Sequence, residues 1–589
     1  MPSPCKPLIL LLVVAFTLAG CVPLSAAGMR PVHARKAMVA STHELASEAG
    51  VEAMRAGGNA VDAAVATGFA LAVVHPQAGN LGGGGFLLLR WADGRTRFLD
   101  YRETAPAAAT RNMYLDAQGD VVAGASEFGY RAIAVPGSVK GLVYAQKKWG
   151  KLLLARVMAP AIRLAREGFA LAWEDADDFK DADEKQLERF PESRRIFQRD
   201  GNFYRQGEIF RQPELARTLE RIAKDPDDFY RGALAKELAG AIQKGGGLIT
   251  EADLAAYEVK EREPVRGTYR GYEIISAPPP SSGGIALIEA LNILEGYDLK
   301  KLGNRSADAI HLTVEAFRRA FFDRAELLGD PDFAAVPVAQ LLDKRYAAAW
   351  RQSIDPAHAT LSAELARPAG IFEELDRVAR RNSRPVPAAG GNHTTHYSVV
   401  DSEGNAAAVT TTINDFMGSR VTAEGLGFLL NNEMDDFRTK PGAPNESGLI
   451  HGEANAIAPG KRPLSSMTPT MVLQDGKLWL VTGSPGGGTI ITTVANVVLG
   501  MVDYGMDVQQ AVNAPHFHHQ WMPDSIHMER PHFSPDTVRM LQARGHRITW
   551  ESPWGTALWG SAESIAIDES TGERLGASDP RRNGKALGY

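Results

Sequence analysis

Cysteine is almost absent from this chain of 589 residues, which has only Cys5 and Cys21. Beyond residue 21 it can therefore form no disulfide and can offer no thiolate to a metal ion. A basic surplus is also absent, since the net charge is −6. This balance argues against nucleic acid as a partner. What the chain does have is 44% apolar residues, enough for a large buried core and too many for a disordered protein.

The N-terminal segment has the pattern of an export signal. Lys6 precedes an apolar run over residues 7–18, and small residues follow as far as Ala27. The run is shorter than the ~20 apolar residues of a membrane-spanning helix, so a permanent transmembrane anchor is the weaker interpretation. We expect residues 1–27 to be a signal peptide and the folded part to lie outside the cytoplasm, in a periplasm.

Two cleavage sites compete within this segment. Residues 18–21, Leu-Ala-Gly-Cys, are similar to a bacterial lipoprotein box, in which Cys21 would carry a lipid and become the new N-terminus. Residues 25–27, Ser-Ala-Ala, offer an ordinary cleavage site after small residues. Under the first alternative, the lipid on Cys21 would be the only link to a membrane. Cys5 is lost under both alternatives.

Apolar spacing predicts two helices early in the chain. The first covers residues 44–55, and the second covers residues 61–74 with Asn59 as its N-cap. A glycine run, residues 82–85, then leads into a predicted strand over 86–91. Because no Gly-Lys-Ser/Thr follows the glycines, we interpret them as a place of close backbone packing and not as a phosphate loop.

The second half of the chain changes from helical to strand patterns. Charged amphipathic helices and turns are predicted between about 150 and 380, and a Pro/Gly linker follows over 384–393. The turn at 402–405 predicts that the strands on either side of it form a hairpin. The C-terminal third is thus expected to be rich in sheet, which favours a layered α+β architecture. The predicted strands are 394–400, 406–413, 471–473 and 478–482.

Thr394 stands where the linker ends and the first of these strands begins. A threonine hydroxyl is a weak acid and needs a base before it can act as a nucleophile. If the chain is cut before Thr394, the new α-amino group, with an ordinary pKa of about 7.7 to 8.0, lies within reach and can take the proton. A threonine that opens a strand is also what β-propensity alone would give. The pattern by itself leaves both interpretations open.

Seven short motifs follow one another along the chain. They are 57–64 (GGNAVDAA), 100–103 (DYRE), 393–401 (HTTHYSVVD), 431–437 (NNEMDDF), 461–467 (KRPLSSM), 482–487 (TGSPGG) and 513–515 (NAP). In sequence and in order they closely resemble the motifs of the γ-glutamyltransferase family, whose members are also called glutathione hydrolases. The resemblance covers nearly all of the chain beyond the signal segment.

This resemblance implies a fold and a maturation step. The fold would be α+β, the αββα sandwich of N-terminal-nucleophile hydrolases, with two stacked and mainly antiparallel sheets flanked by helices. The chain would be a proenzyme that cuts itself between His393 and Thr394. Residues 28–393 would become the large subunit and residues 394–589 the small catalytic subunit, and the two would form one domain as a heterodimer.

The resemblance also implies an activity. The γ-glutamyl group of glutathione or a related compound would pass to the hydroxyl of Thr394, and then to water or to the amine of an amino acid or peptide. Thr412 would help as a hydrogen-bonding neighbour, since the predicted hairpin brings it near Thr394 across the strands. Gly486 and Gly487 would offer backbone N–H groups to the oxyanion, because glycine lets the backbone come close. No cofactor is implied.

The γ-glutamyl group carries an α-carboxylate and an α-ammonium, so its pocket needs partners for both. A planar guanidinium suits a carboxylate, and the resemblance assigns this role to Arg102 with the hydroxyls of Ser465 and Ser466. Without the resemblance, Arg102 fits a surface ion pair and the two serines fit a turn. The acidic residues at 433 and 436 would then fit a solvated face. The predicted acceptors for the ammonium are Asn414, Glu433 and Asp436.

A metal site is not predicted. His516, His518 and His519 lie close together in the sequence, but their spacing does not match a zinc motif such as His-Glu-x-x-His. The family that the chain resembles uses no essential metal.

Two alternative functions stay open. One is a β-lactam side-chain acylase of the same fold, such as a cephalosporin acylase; the pairing of Arg102 with acidic residues favours an amino-acid-like acyl group instead. The other is an inactive envelope lipoprotein that keeps the fold for binding. Thr394 together with Gly486 and Gly487 argues against it, because an inactive relative is expected to lose its nucleophile first.

Residues 441–463 resemble the lid loop of the family, with two departures near the pocket. Ser447 stands where bacterial relatives have a tyrosine, and Glu433 where many have glutamine. We expect Ser447→Tyr to raise the ratio of transfer to hydrolysis, because the ring would shield the acyl-threonine from water. Product analysis with a γ-glutamyl donor and a dipeptide acceptor measures this ratio. An unchanged ratio would contradict a screening role for position 447.

Overall fold

The computed structural model describes residues 29–181, 184–379, 394–440, 445, 448–554 and 559–589. Of the two compact units into which the chain divides, Pro31–Tyr589 holds all the elements given below. Across the described part, no helix combines the length and the apolar character needed to cross a membrane. The predictions for Cys5, Cys21, His393 and Ser447 fall outside the described residues.

The strands are β1 Val32–Ala34, β2 Met38–Ser41, β3 Gly84–Arg90, β4 Thr96–Asp100, β5 Phe169–Ala170, β6 Gln198–Arg199, β7 Asn202–Phe203, β8 Ile209–Phe210, β9 Lys260–Arg262, β10 Val265–Tyr269, β11 Tyr272–Ser276, β12 Thr394–Val400, β13 Ala406–Thr412, β14 Thr470–Gln474, β15 Lys477–Thr482, β16 Phe517–His518, β17 Ile526–Glu529, β18 Ile548–Glu551, β19 Glu563–Ile567, β20 Arg574–Ser578 and β21 Lys585–Gly588.

The α-helices are α1 Glu44–Arg55, α2 Ala60–Val74, α3 Ser138–Trp149, α4 Leu154–Glu167, α5 Trp173–Asp181, α6 Glu184–Glu188, α7 Pro191–Phe197, α8 Pro213–Lys224, α9 Asp228–Arg231, α10 Ala233–Lys244, α11 Glu251–Ala256, α12 Gly283–Leu294, α13 Leu299–Leu302, α14 Ala307–Leu327, α15 Val338–Leu341, α16 Lys344–Gln352, α17 Glu373–Ala379, α18 Thr489–Val502, α19 Val508–Asn513 and α20 Pro535–Ala543. Short 3₁₀ helices cover Tyr130–Ala132, Ser362–Glu364, Glu433–Asp436 and Glu453–Asn455.

Two seven-stranded sheets form the centre of the fold. Sheet A has the strand order β1-β20-β19-β15-β14-β11-β10, and sheet B the order β21-β2-β12-β13-β3-β4-β9. Neighbouring strands are antiparallel throughout both sheets. The hairpin β12–β13 lies in the middle of sheet B, between strands from the beginning of the chain. The two predicted subunits therefore contribute neighbouring strands to one sheet.

The central strands alternate their side chains between two cores, as the period of two in a strand requires. In β13, Ala406 and Ala408 pack between the sheets, whereas Ala407 and Val409 pack beneath α1 and α2. In sheet A, Leu480 packs against the layer that contains α12 and α18, on the face opposite the space between the sheets. The layers are thus helix, sheet, sheet and helix, and the predicted α+β sandwich is confirmed.

Local sequence patterns found several elements at their observed positions. The first helix and the strand 394–400 have the predicted bounds. Asn59 caps α2 as predicted, and it forms a reciprocal capping box with Asp62. The prediction of helices and turns over 150–380 was incomplete, because the short strands β5 to β8 and the sheet strands β9, β10 and β11 lie there. The edge strand β10 is partly exposed, and the more buried β11 is fixed in sheet A by pairing with β14, which is distant in sequence.

The glycine run supports the end of the central hairpin. A Cβ atom on Gly83 would overlap the carbonyl oxygen of Thr412, and one on Gly85 would lie 2.5 Å from that of Thr410. The Asn80 side chain donates to the same Thr412 carbonyl at 2.9 Å. The predicted close backbone packing is therefore confirmed, and it holds the end of β13 in place.

We expect Gly83→Ala to destabilise the protein by about 1–3 kcal/mol, because the added methyl group must displace the backbone of β13. The melting temperature of the purified protein measures this effect. Gly240→Ala is the matched control: this glycine lies inside α10, and its Cβ would meet open space. Alanine is the better helix former, so the control should be neutral or slightly stabilising. Equal melting temperatures for both variants would contradict the packing role.

Candidate active site

The end of the hairpin brings two threonine hydroxyls together. Thr394 and Thr412 are directly opposite in the register of β12 and β13. Thr394 Oγ1 donates to Thr412 Oγ1 at 3.1 Å, and the backbone N–H of Asn414 donates to the same Thr412 oxygen at 2.8 Å. Thr394 itself is buried. Its side chain is thus held in one position by a neighbour that is itself fixed.

A pocket lies beside Thr394. Gly486 does not line it but precedes Gly487, which does. Asn414 donates its side-chain amide to the Asn432 carbonyl at 3.2 Å, so its amide oxygen is left as an acceptor. The predicted site residues that line the pocket are Arg102, Thr394, Thr412, Asn414, Glu433, Asp436, Ser465, Ser466 and Gly487.

Arg102 is buried at the pocket among three carboxylates. Its guanidinium contacts Glu433, lies 2.5 Å from Asp436 Oδ2 and lies 3.6 Å from Glu103 Oε2. Its Nε also donates to the Pro463 carbonyl at 3.3 Å. Although burial opposes the charge, the three carboxylates together raise the pKa of Arg102. This guanidinium is therefore fully charged and fully compensated.

The predicted carboxylate donor and two of the predicted ammonium acceptors thus bind one another. Arg102 was assigned to an α-carboxylate, and Glu433 and Asp436 to an α-ammonium, but in the uncut chain they form ion pairs. Opposite charges that already neutralise each other can accept a zwitterion between them without a change in net charge. The arrangement suits a ligand group that carries both signs on neighbouring atoms.

Glu103 is a member of this cluster that sequence reasoning missed. Burial raises the pKa of Glu103 to about 7, even though Arg102 works in the opposite direction. Burial also raises the pKa of Glu433 well above its usual range, and the nearby Glu103 adds to the effect. Two buried acids beside one guanidinium favour a shared proton. The signal was present, because Glu103 directly follows Arg102, but an adjacent pair of charges usually lies on a surface.

The two glycines form a tight turn ahead of α18. Gly486 has φ 119° and Gly487 has φ 51°, conformations that favour glycine. A Cβ on Gly486 would also lie 2.9 Å from the Gly560 nitrogen. Within the described part of the chain, neither glycine N–H has a hydrogen-bond acceptor. Free N–H groups at the positive end of a 14-residue helix can stabilise a negative charge.

The neighbouring histidines have separate partners. His516 lies 3.7 Å from Asp579, His518 contacts Thr492 at 2.9 Å, and His519 contacts Asp524 at 3.2 Å. They do not converge on one point.

Another group of potential metal ligands is His311, Glu315 and His546, whose ligand atoms lie within 4.8 Å of one another. Here Glu315 already accepts hydrogen bonds from Arg318 and Arg319. These two guanidinium groups compensate its charge, and no metal ion is needed for that.

We expect Glu103→Gln to flatten the pH dependence of stability. An acid whose pKa is raised from 4.5 to about 7 on folding adds stability below about pH 4.5, and this contribution is lost as the pH rises through 7. The loss lowers the melting temperature of the wild type between pH 5 and pH 8. The variant should not show this part of the decrease. Glu48→Gln, at an exposed position of α1, is the control. An unchanged difference between the two pH values in Glu103→Gln would contradict the raised pKa.

Comparison with known proteins agrees with this geometry. A model of the family described as Gamma-glutamyltranspeptidase matches residues 46–589. The chain is 49% identical over 570 residues to a glutathione hydrolase proenzyme from Pseudomonas sp. (strain A14), and the matched region covers 96% of each chain. It is also 49% identical over 552 residues to the glutathione hydrolase proenzyme of Escherichia coli (strain K12). That match covers 94% of this chain and 91% of the E. coli chain.

Solved structures agree at the level of the fold. The cephalosporin acylase from Bacillus halodurans has a TM-score of 0.82 and 28% identity, over 97% of this chain and 99% of that one. The Helicobacter pylori gamma-glutamyltranspeptidase has a TM-score of 0.56 and 43% identity, over 59% of this chain and 99% of that one. With a family match over most of its length and relatives at 49% identity, the chain belongs to the gamma-glutamyltranspeptidase family.

Proposed function

We propose that this protein is a self-processing γ-glutamyltransferase and glutathione hydrolase. Cleavage between His393 and Thr394 makes Thr394 the N-terminus of a small subunit, residues 394–589, which stays bound to the large subunit as a heterodimer. The observation that carries the proposal is the contact between the Thr394 and Thr412 hydroxyls beside a pocket of buried, opposite charges. Relatives named glutathione hydrolase proenzyme support the same activity.

The reaction begins with the hydroxyl of Thr394. After cleavage its α-amino group takes the hydroxyl proton, and Oγ1 attacks the γ-carbonyl carbon of the substrate. Thr412 Oγ1 orients the nucleophile through the hydrogen bond between them. The N–H groups of Gly486 and Gly487 stabilise the oxyanion, and a missing donor of this kind typically costs about 3 kcal/mol.

The second half of the reaction releases the γ-glutamyl group. The tetrahedral intermediate expels the leaving amine, which takes the proton from the α-ammonium of Thr394, and a γ-glutamyl ester of Thr394 remains. Water or the amine of an amino acid or peptide then attacks the ester carbonyl and gives a proton back to Thr394 Oγ1 through the same amino group. No step calls for a metal or a cofactor.

The pocket binds the far end of the γ-glutamyl group. Arg102, Ser465 and Ser466 hold the α-carboxylate. Entry of the substrate inserts its charges into the existing ion pairs of Arg102, so that each buried charge keeps a partner of opposite sign. The α-ammonium is bound by Asn414, Glu433 and Asp436.

The cellular setting is part of the proposal. Residues 1–27 act as a signal peptide, and the enzyme works in the periplasm, either free or held to a membrane by a lipid on Cys21. Support comes from the apolar run and the small residues of the sequence. A catalytic body without thiols suits a substrate such as glutathione, because there is no cysteine with which it could exchange.

Self-cleavage is tested on a denaturing gel of the purified protein. We expect two bands for the wild type and one full-length band for Thr394→Ala, which has no hydroxyl to attack the preceding peptide bond. Thr394→Ser is the matched control: it keeps a hydroxyl at this position and should still give two bands, at a lower rate. A single uncut wild-type band would overturn the proposal.

The activity is tested with p-nitroanilide substrates. Likeness to a cephalosporin acylase makes a β-lactam side-chain acylase the second candidate. We expect the γ-glutamyl anilide to be cleaved with at least tenfold higher kcat/KM than the glutaryl anilide, because the latter leaves Glu433 and Asp436 without an ammonium. Preference for glutaryl anilide, or for a glutaryl β-lactam, would favour the acylase.

A further inference from the structure

Arg324 is a second buried guanidinium, and it contacts the pocket-lining Ser466 from behind. It lies on α14, far in sequence from the motifs, and its side chain is 2% exposed. Its Nε donates to Ser282 Oγ at 3.0 Å, and its Nη2 donates to Ser466 Oγ at 3.1 Å. Ser282 in turn donates to the Ser465 carbonyl oxygen at 2.6 Å. Arg324 thus contacts Ser466 directly and Ser465 through one intermediate.

The charge of Arg324 is not compensated in the way that the charge of Arg102 is. Among the residues that the structure describes, no carboxylate forms an ion pair with Arg324. Burial lowers its pKa to about 10, and Asp436 opposes this shift only from a distance. A buried guanidinium without an anion is costly, unless a ligand supplies the anion. The chemistry points to a negatively charged ligand group in this part of the pocket.

His451 is a buried side chain close to both guanidiniums. Neither ring nitrogen has a hydrogen-bond partner within the described residues. Burial lowers the pKa of His451 well below its usual range, and Arg324 and Arg102 lower it further. Both guanidiniums therefore act on the same small region.

The contact between Arg324 and Ser466 also decides the direction of a hydrogen bond. A guanidinium can only donate, so Ser466 Oγ must accept from it. The single hydroxyl proton of Ser466, which lines the pocket, is therefore free to be donated to a ligand. Ser465 is arranged in the same way, because its Oγ accepts from the backbone N–H of Met467 at 3.0 Å. Two hydroxyl protons are thus available to an anion.

We propose that Arg324 is a positioning and specificity residue for the α-carboxylate of the γ-glutamyl group. It turns the Ser466 hydroxyl into a donor and supplies the positive potential that balances the carboxylate. Three carboxylates already surround Arg102, so its attraction for a further carboxylate is weaker. This inference rests on the proposed function.

The test compares Arg324→Lys and Arg324→Met with the wild type on three p-nitroanilides. The γ-glutamyl group has both the carboxylate and the amine, the glutaryl group lacks the amine, and the 4-aminobutyryl group lacks the carboxylate. We expect KM to rise at least tenfold for the first two substrates in both variants, because lysine cannot reproduce the fork to Ser282 and Ser466. For the 4-aminobutyryl substrate, KM should change less than twofold.

A competition measurement gives the answer if a variant hydrolyses a substrate too slowly for its KM to be determined. L-Glutamate and 4-aminobutyrate are used as inhibitors, and only the inhibition constant of L-glutamate should rise in the Arg324 variants. The KM effect should exceed the kcat effect, since Arg324 does not contact the reacting atoms. Arg319→Lys is the matched control: Arg319 is buried on the same helix but binds Glu315 and Ser353, outside the pocket.

Failure of this inference is distinct from failure of the proposed function. If the wild type cuts itself and hydrolyses the γ-glutamyl anilide, the function stands whatever Arg324 does. An equal loss for all three substrates in the Arg324 variants, or no loss for any, would overturn the inference. Arg324→Lys keeps a charge at the site, so it gives the answer if Arg324→Met is not folded, as judged by its gel and melting curve.

Discussion

The site depends on the register of one antiparallel hairpin, β12 and β13. This register sets Thr394 opposite Thr412, so that one hydroxyl donates to the other across the strands. A slip of one residue in either strand would turn the threonine of that strand to the opposite face of sheet B, away from the pocket. The position of the hairpin between β2 and β3, with glycine backbone packed against Thr412, opposes such a slip. The nucleophile is thereby fixed by a sheet and not by a loop.

The second constraint is electrostatic. Two buried guanidiniums lie near the nucleophile, and their surroundings differ: Arg102 has three carboxylates around it, whereas Arg324 contacts serine hydroxyls. Buried charges are tolerated when they are paired, and an unpaired one is a place for a ligand of the opposite sign. The site therefore combines a region in which the guanidinium charge is compensated with a region of positive potential. This asymmetry fits the zwitterionic end of a γ-glutamyl group.

Local patterns in the sequence identified those features that depend on neighbouring residues alone. Helix α1, the Asn59 cap and the hairpin were found because their periodicity, capping and turn signals lie within a few residues of each other. Strands β10 and β11 were not found, because β11 takes its place by pairing with the distant β14, and β10 by pairing with β11. Arg324 was not found for a similar reason. It lies in a run of charged residues on α14, and only packing against the rest of the fold buries that run.

By itself, the sequence determined the family of the protein, its α+β class and a set of residues in its motifs, because these depend on residue identity and order. The tertiary structure decided which charges meet. It joined Arg102 to Glu433 and Asp436, which lie more than 300 positions away, and brought Arg324 to Ser466. Coulomb interactions and burial depend on distance in space, and no pattern along the chain encodes that distance. The partners of each buried charge could therefore be read only from the fold.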